Sequence, residues 1–161
     1  MEKFQQARET AKKSITIADH MLSVTYPLVK DPKLILAIME NIFLAYTNSM
    51  AAILYYDRLF KKIPPFNDTF ESKFNIFKAR CIERHGLDNN YLIDMQDIKN
   101  TLLEHKKSPI EFARKDKFVI CSENYKMKTI DLNVLSEYIN KAKVFIQEMD
   151  NIVSKNERIF R

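Results

Sequence analysis

The chain has 161 residues, 46% of them hydrophobic and 29% charged, with a formal net charge of +5. These values describe one globular domain, residues 1–161, large enough to bury a core of its own. Gly86 is the single glycine, which excludes the glycine-rich phosphate loops of dinucleotide and P-loop proteins and disfavours a fold of tight hairpins, where positive φ is routine.

The elements predicted along the chain are mostly helical. A first helix is expected from about Glu2 to Thr25, with Ile15, Ala18, Met21 and Leu22 on its apolar face and Pro27 just beyond its end. Asp31-Pro32 opens a second helix, aspartate as N-cap and proline in the first turn, that runs to about Lys62 and stops before Pro64-Pro65. It is apolar on most sides. Its stretch from Leu34 to Tyr56 is long enough to span a bilayer, but Glu40, Asn41 and Asn48 interrupt it, so we read it as the buried centre of a bundle or dimer and expect no membrane partner. Asn67 or Asp68 caps a third helix that ends at His85 and Gly86. Asp88 caps a fourth, from Asn89 to His105, and Ser108-Pro109 restarts the chain as a turn or single helical turn. Phe118–Cys121 and Met127–Ile130 flank Ser122–Lys126 as a β-hairpin, and Asp131 caps a last amphipathic helix to about Lys155. The expected fold is therefore all-α, a bundle of about five helices with a small β-hairpin before the last one.

Two windows carry the most direct chemical signal. Arg80-Cys-Ile-Glu-Arg-His85 and Asn100-Thr-Leu-Leu-Glu-His105 each place an arginine or amide five residues before a histidine near a helix end. Imidazole moves protons near neutral pH, and a cation beside it stabilises a phosphate that gains charge. Five residues at about 100° each set the two side chains about 140° apart, so convergence requires a helix end or a second copy of the chain. Asn100 lacks the fixed charge of an arginine, which Lys99 or Lys106 could supply. His20, next to Asp19, forms no dyad, because adjacent helical residues face apart. Glu40, Asn41 and Asn48 form a polar stripe that either orients a catalytic histidine or serves a close helix contact.

Charge is uneven. Residues 99–128 carry eight basic and four acidic side chains, a patch that suits a polyanion, with Lys99, Lys106, Lys107, Arg114, Lys115 and Lys117 as its binding candidates. Phe112, Phe118 and Tyr125 lie among them, available either to stack on bases or to fix the hairpin to the bundle. No Glu-x-x-His pair or His-x-x-x-His spacing is present, so neither a metal nor another cofactor is expected. Cys81 and Cys121 have no metal-type or disulfide-framework spacing, and Met1–Lys13 has no apolar signal core; both features point to the cytoplasm.

Helix order, the two long N-terminal helices, the alanines at 45, 51 and 52 and the amphipathic final helix together resemble the HEPN family (higher eukaryotes and prokaryotes nucleotide-binding domain). That resemblance implies a small dimeric helical bundle, in many members a metal-independent ribonuclease with an Arg-x-x-x-x-His signature before the last helix. Here the signature is split: Arg80 and His85 have the right identities one helix early, while Asn100 and His105 hold the expected place without the arginine. Two functions are expected from it. One is a homodimeric module that binds RNA or nucleotide through its basic segment. The other is an endoribonuclease in which His105 or His85 acts as acid or base and Arg80 or Lys99 stabilises the phosphorane. A structural adaptor is a third.

Overall fold

The computed structural model describes the backbone of residues 1–107, 110–114, 116–121 and 126–155, with side chains for all of these except Ile110 and residues 112–114. Helix α1 (Lys3–His20) runs on through one π turn (Met21–Thr25) into a last α-helical turn (Tyr26–Val29). The expected end before Pro27 is thus overturned. Proline has no N–H to donate and its ring crowds the preceding turn, and the wider turn ahead of it accommodates both demands. The Tyr26 N–H accordingly donates to the Met21 carbonyl, five residues back.

Helix α2 (Lys33–Leu59) is the centre of the molecule. Pro32 stands at its N-cap, one residue later than expected, and the Asp31 carboxylate before it accepts the Lys33 N–H at 3.0 Å. Ile35, Ile38, Ile42, Tyr46, Met50 and Ile53 are fully buried. Helix α1 lies along it on Ala7, Ala11, Ser14 and Ala18, small residues three or four apart that let the two backbones approach closely. Among the described residues α2 is the one helix long and apolar enough to cross a membrane, and 56% of its apolar window is buried within the chain.

Helix α3 comprises Phe70–Ile76, a π turn (Phe77–Cys81) and Ile82–His85. Its cap is Thr69 rather than Asn67 or Asp68: the hydroxyl accepts the Ser72 N–H at 3.1 Å. Helix α4 (Asn90–Lys107) begins with the Asn90 N–H on the Asp88 carboxylate at 2.8 Å. Helix α5 (Leu132–Val153) is capped by Asp131, which accepts the Val134 N–H at 2.9 Å. Phe145 of α5 is fully buried where four helices meet, its ring 4.4 Å from Tyr91, 5.9 Å from Tyr46 and 6.1 Å from Phe77.

Before α5 lies a three-stranded antiparallel sheet, order β1 (Ile110–Arg114), β2 (Lys117–Cys121), β3 (Met127–Asp131). The expected hairpin is its β2–β3 half, and its loop, Ser122–Tyr125, lies outside the described residues. Ser108 and Pro109, where a turn or single helical turn is expected, also lie outside them, and the described chain resumes at Ile110 as strand β1. Ile110–Arg114 alternates too weakly to declare a strand alone; it is one because β2 offers it an open edge. Phe118 pairs with Ile130 across the β2–β3 ladder, and with Ile120 they bury one face of the sheet in the core. The Tyr26 hydroxyl donates to Asp116 at 2.9 Å and ties the end of α1 to the β1–β2 turn.

A polar contact between α2 and α4 sits inside the bundle. Tyr46 donates to the buried Asp94 carboxylate at 3.1 Å, and the Lys141 ammonium stands 3.8 Å from its other oxygen. Burial raises the Asp94 pKa, against the opposing pull of Tyr46 and Lys141. A carboxyl whose folded pKa is raised contributes stability that is complete below the ordinary aspartate range and lost as pH rises through the folded value. Urea denaturation from about pH 4 to 7 should therefore show wild-type stability falling by an increment that Asp94→Asn lacks. Parallel profiles would show that Asp94 is not desolvated. Tyr46→Phe should cost about 1–2 kcal/mol near neutral pH by stranding the carboxylate.

Candidate functional site

The two histidine windows fold into two different environments. In the first, Cys81, Arg84 and His85 recur at the three- and four-residue spacing that aligns side chains on one helical face. That face meets Asp57, close to the end of α2. His85 Nε2 lies 2.8 Å from Asp57 Oδ2, Arg84 Nη1 lies 3.5 Å from the same oxygen, and the Cys81 thiol donates to it at 3.4 Å. Arg84 also donates to the Lys62 carbonyl at 3.0 Å, which ties the chain beyond α2 to the end of α3. Asp57 is 2% exposed. Its buried charge is thus met by two basic side chains and a thiol. Burial, then the Asp57 charge, pushes the Cys81 thiol up, so it is a poor thiolate and a poor nucleophile.

Gly86 fixes this end. At φ +62 it takes the left-handed conformation that ends α3, with the Leu87 N–H on the Ile82 carbonyl at 2.9 Å and its own N–H on Glu83 at 3.2 Å. Arg80 does not join His85. It is exposed, without a hydrogen bond or ion pair among the described residues. The pairing of Arg80 with His85 is therefore absent within the chain, for the geometric reason that five residues turn the two apart.

In the second window His105 Nδ1 lies 2.6 Å from Glu111 Oε1, and its ring meets Phe118 edge-on at 6.1 Å. The pair borders a cleft of about 600 Å³ between the start of α2 and the sheet. Leu36, Ala37 and Phe118 form its apolar wall, and Asp31, Glu40 and Glu111 face Lys33 and His105 around it. A carboxylate on Nδ1 selects the tautomer with hydrogen there and leaves Nε2 as a proton acceptor. This is the arrangement of an oriented general base, in a cleft that carboxylates make a poor host for phosphate.

Asn100 does not reach this imidazole. It is exposed on another face of α4, where its side-chain oxygen accepts from Gln96 at 3.0 Å. Lys99 is also engaged elsewhere: its ammonium bonds Glu71 and lies 4.3 Å from the Phe70 ring centre. Lys106, Lys107 and Lys117 are exposed and without ion pairs among the described residues. Arg114 pairs in register with Lys117 in the β1–β2 ladder, and its side chain is outside the described set. Lys115 and Tyr125 lie outside the described residues, and Phe118 is buried, where it cannot stack on a base.

The polar stripe of α2 divides between its own helix and the cleft. Asn41 and Asn48 donate to carbonyls of their own helix at 2.9 and 2.8 Å, and Glu40 borders the cleft. His20 is exposed on α1. The two carboxylates that do hold histidines, Asp57 and Glu111, escape a reading of local windows because each comes from another element. A buried charge in Tyr55-Tyr56-Asp57 was the available signal for the first. No protein-family model matches the chain, and no curated protein matches it.

Removing one partner of a buried ion pair strands the other charges. Asp57→Ala should lower unfolding stability by about 3–5 kcal/mol in urea, whereas Arg80→Ala should stay within about 0.5 kcal/mol of wild type. Equal losses in the two variants would contradict the assignment of Asp57 as the anchor of α3.

Proposed function

We propose that this chain is a HEPN-like dimeric module that binds RNA or nucleotide through its basic segment. The observation that carries the reading is the separation within both windows. His85 is tied to Asp57 and His105 to Glu111, while Arg80 and Asn100 lie on other faces. Arg84 stands beside His85, but both are engaged by the buried Asp57 carboxylate, and His105 is engaged by Glu111, so neither window presents the free imidazole–cation pair that RNA cleavage requires. Binding asks only for accessible cations. The His105–Phe118 contact holds the end of α4 against β2, which brings Lys106, Lys107 and Lys117 to the same end of the molecule. A cytoplasmic setting belongs to this reading, supported by the spacing of Cys81 and Cys121, which fits neither a disulfide framework nor a metal site. So does the homodimer, supported by the family resemblance and by the exposed Leu28 and Val29. A monomer by light scattering at micromolar concentration would remove the dimer from it.

A second reading, metal-independent RNA cleavage with His105 as the base, draws on the 2.6 Å His105–Glu111 pair at the cleft. The carboxylates around that cleft weigh against it, because each repels a phosphodiester. Labelled single-stranded RNA in EDTA separates the two readings. Cutting by wild type that His105→Ala abolishes would establish the enzyme.

Binding itself is tested by fluorescence anisotropy against salt. Each phosphate neutralised on a single strand contributes about −0.7 to the slope of log K against log salt. Replacing Lys106, Lys107 and Lys117 together by glutamine should therefore weaken RNA binding and flatten that slope by about 2. Tight binding with an unchanged slope would exclude these lysines.

A further inference from the structure

Where α2 ends, on Arg58 and Leu59, a separate cavity of about 260 Å³ opens against the first turn of α1. Lys3, Arg58 and Lys61 stand around it, with Phe4 and Tyr55 as aromatic wall. The guanidinium carbon of Arg58 lies 4.9 Å from the Tyr55 ring centre and 4.6 Å from that of Phe66. Two rings thus hold the cation in place. Among the described residues none of its N–H groups meets an acceptor, and none of the three cations has an ion-pair partner. The acid at the rim, Glu2, is already engaged: its side chain accepts the Gln5 N–H in the capping box of α1. Asp68 and Lys3 attract each other at longer range, but the Asp68 carboxylate is itself paired with Lys73 at 2.5 Å. Lys61 is set by the backbone. It has φ +56, and its N–H bonds the Arg58 carbonyl at 3.0 Å, so the chain turns back over the end of the helix.

Three cations without ion-pair partners, one of them immobilised with its donors free, define an anion site. We propose that this cavity binds the phosphate of a phosphomonoester, with Arg58 as the fixed donor and Lys3 and Lys61 as flanking charges. A planar guanidinium presents parallel donors to two phosphate oxygens, and the lysines neutralise the remaining charge. The site shares no residue with the basic segment of residues 99–117 and does not depend on RNA binding there.

Calorimetric titrations with inorganic phosphate, AMP and adenosine test it, on wild type, Arg58→Gln and Lys61→Gly. Glycine removes the ammonium at a position whose backbone already favours it, so that variant folds. Phosphate and AMP are expected to bind and adenosine not to. Both variants should weaken binding at least about tenfold, and raising salt from about 50 to 200 mM should weaken it further. Lys13→Gln, an exposed lysine elsewhere on α1, should change nothing. Absence of phosphate and AMP binding at millimolar concentration, or binding unchanged in both variants, would overturn the proposal. A 5′-phosphorylated oligoribonucleotide compared with its 5′-hydroxyl counterpart then distinguishes the source. A preference abolished by Arg58→Gln assigns the phosphate to an RNA end, and phosphate or AMP binding without that preference assigns it to a free small molecule.

Discussion

The constraint on which this structure depends is the burial of α2. A 27-residue helix with isoleucine, leucine, methionine, alanine and tyrosine on nearly every side cannot leave them in water without losing about 1.5–3 kcal/mol for each large side chain. The rest of the chain is arranged to prevent that. Small residues of α1 lie against it, α4 and α5 close around Phe145, and the sheet covers its start through Phe118 and Ile120. The candidate sites are then fixed by where α2 begins or ends. Its first turns border the His105 cleft, and its last turn carries Asp57 inward and Arg58, one residue on, outward.

The two histidines show how environment sets the role of one side chain. His85 is held at a carboxylate that is itself buried and shared with Arg84 and Cys81. All the chemistry of that carboxylate is used in joining α2 to α3. His105 is held at a half-buried carboxylate beside an open cleft, and its second nitrogen is left over. The same kind of pair thus gives a structural clamp in one place and a polarised base in the other. The difference lies in access to solvent and in how many other donors the carboxylate must satisfy.

Charge is sorted along the molecule in a way its net value conceals. Carboxylates gather at the cleft, exposed lysines at the end of α4 and the start of β2, and a third group of cations at the end of α2. An anionic ligand drawn to the surface by a net +5 charge meets its partners outside the cleft, not within it. The ring-held Arg58 is set apart from the exposed lysines because little side-chain entropy remains for it to lose on binding.

The sequence by itself determined the helical class, the order of the elements and most of their ends. Asp31, Asp88, Asp131 and Gly86 act through neighbouring backbone groups, and local chemistry is legible locally. It also set Arg80 and His85 apart along a straight helix but left a helix end or a second copy open, and only the structure shows them apart within the chain. Pro27 misled, because a π turn can absorb a proline when the helix has a surface worth continuing along. Strand β1, the partners Asp57 and Glu111, and the cation site at the end of α2 were decided only by tertiary structure. Each brings together residues from separate elements, and no window of sequence contains the packing that sets their distance.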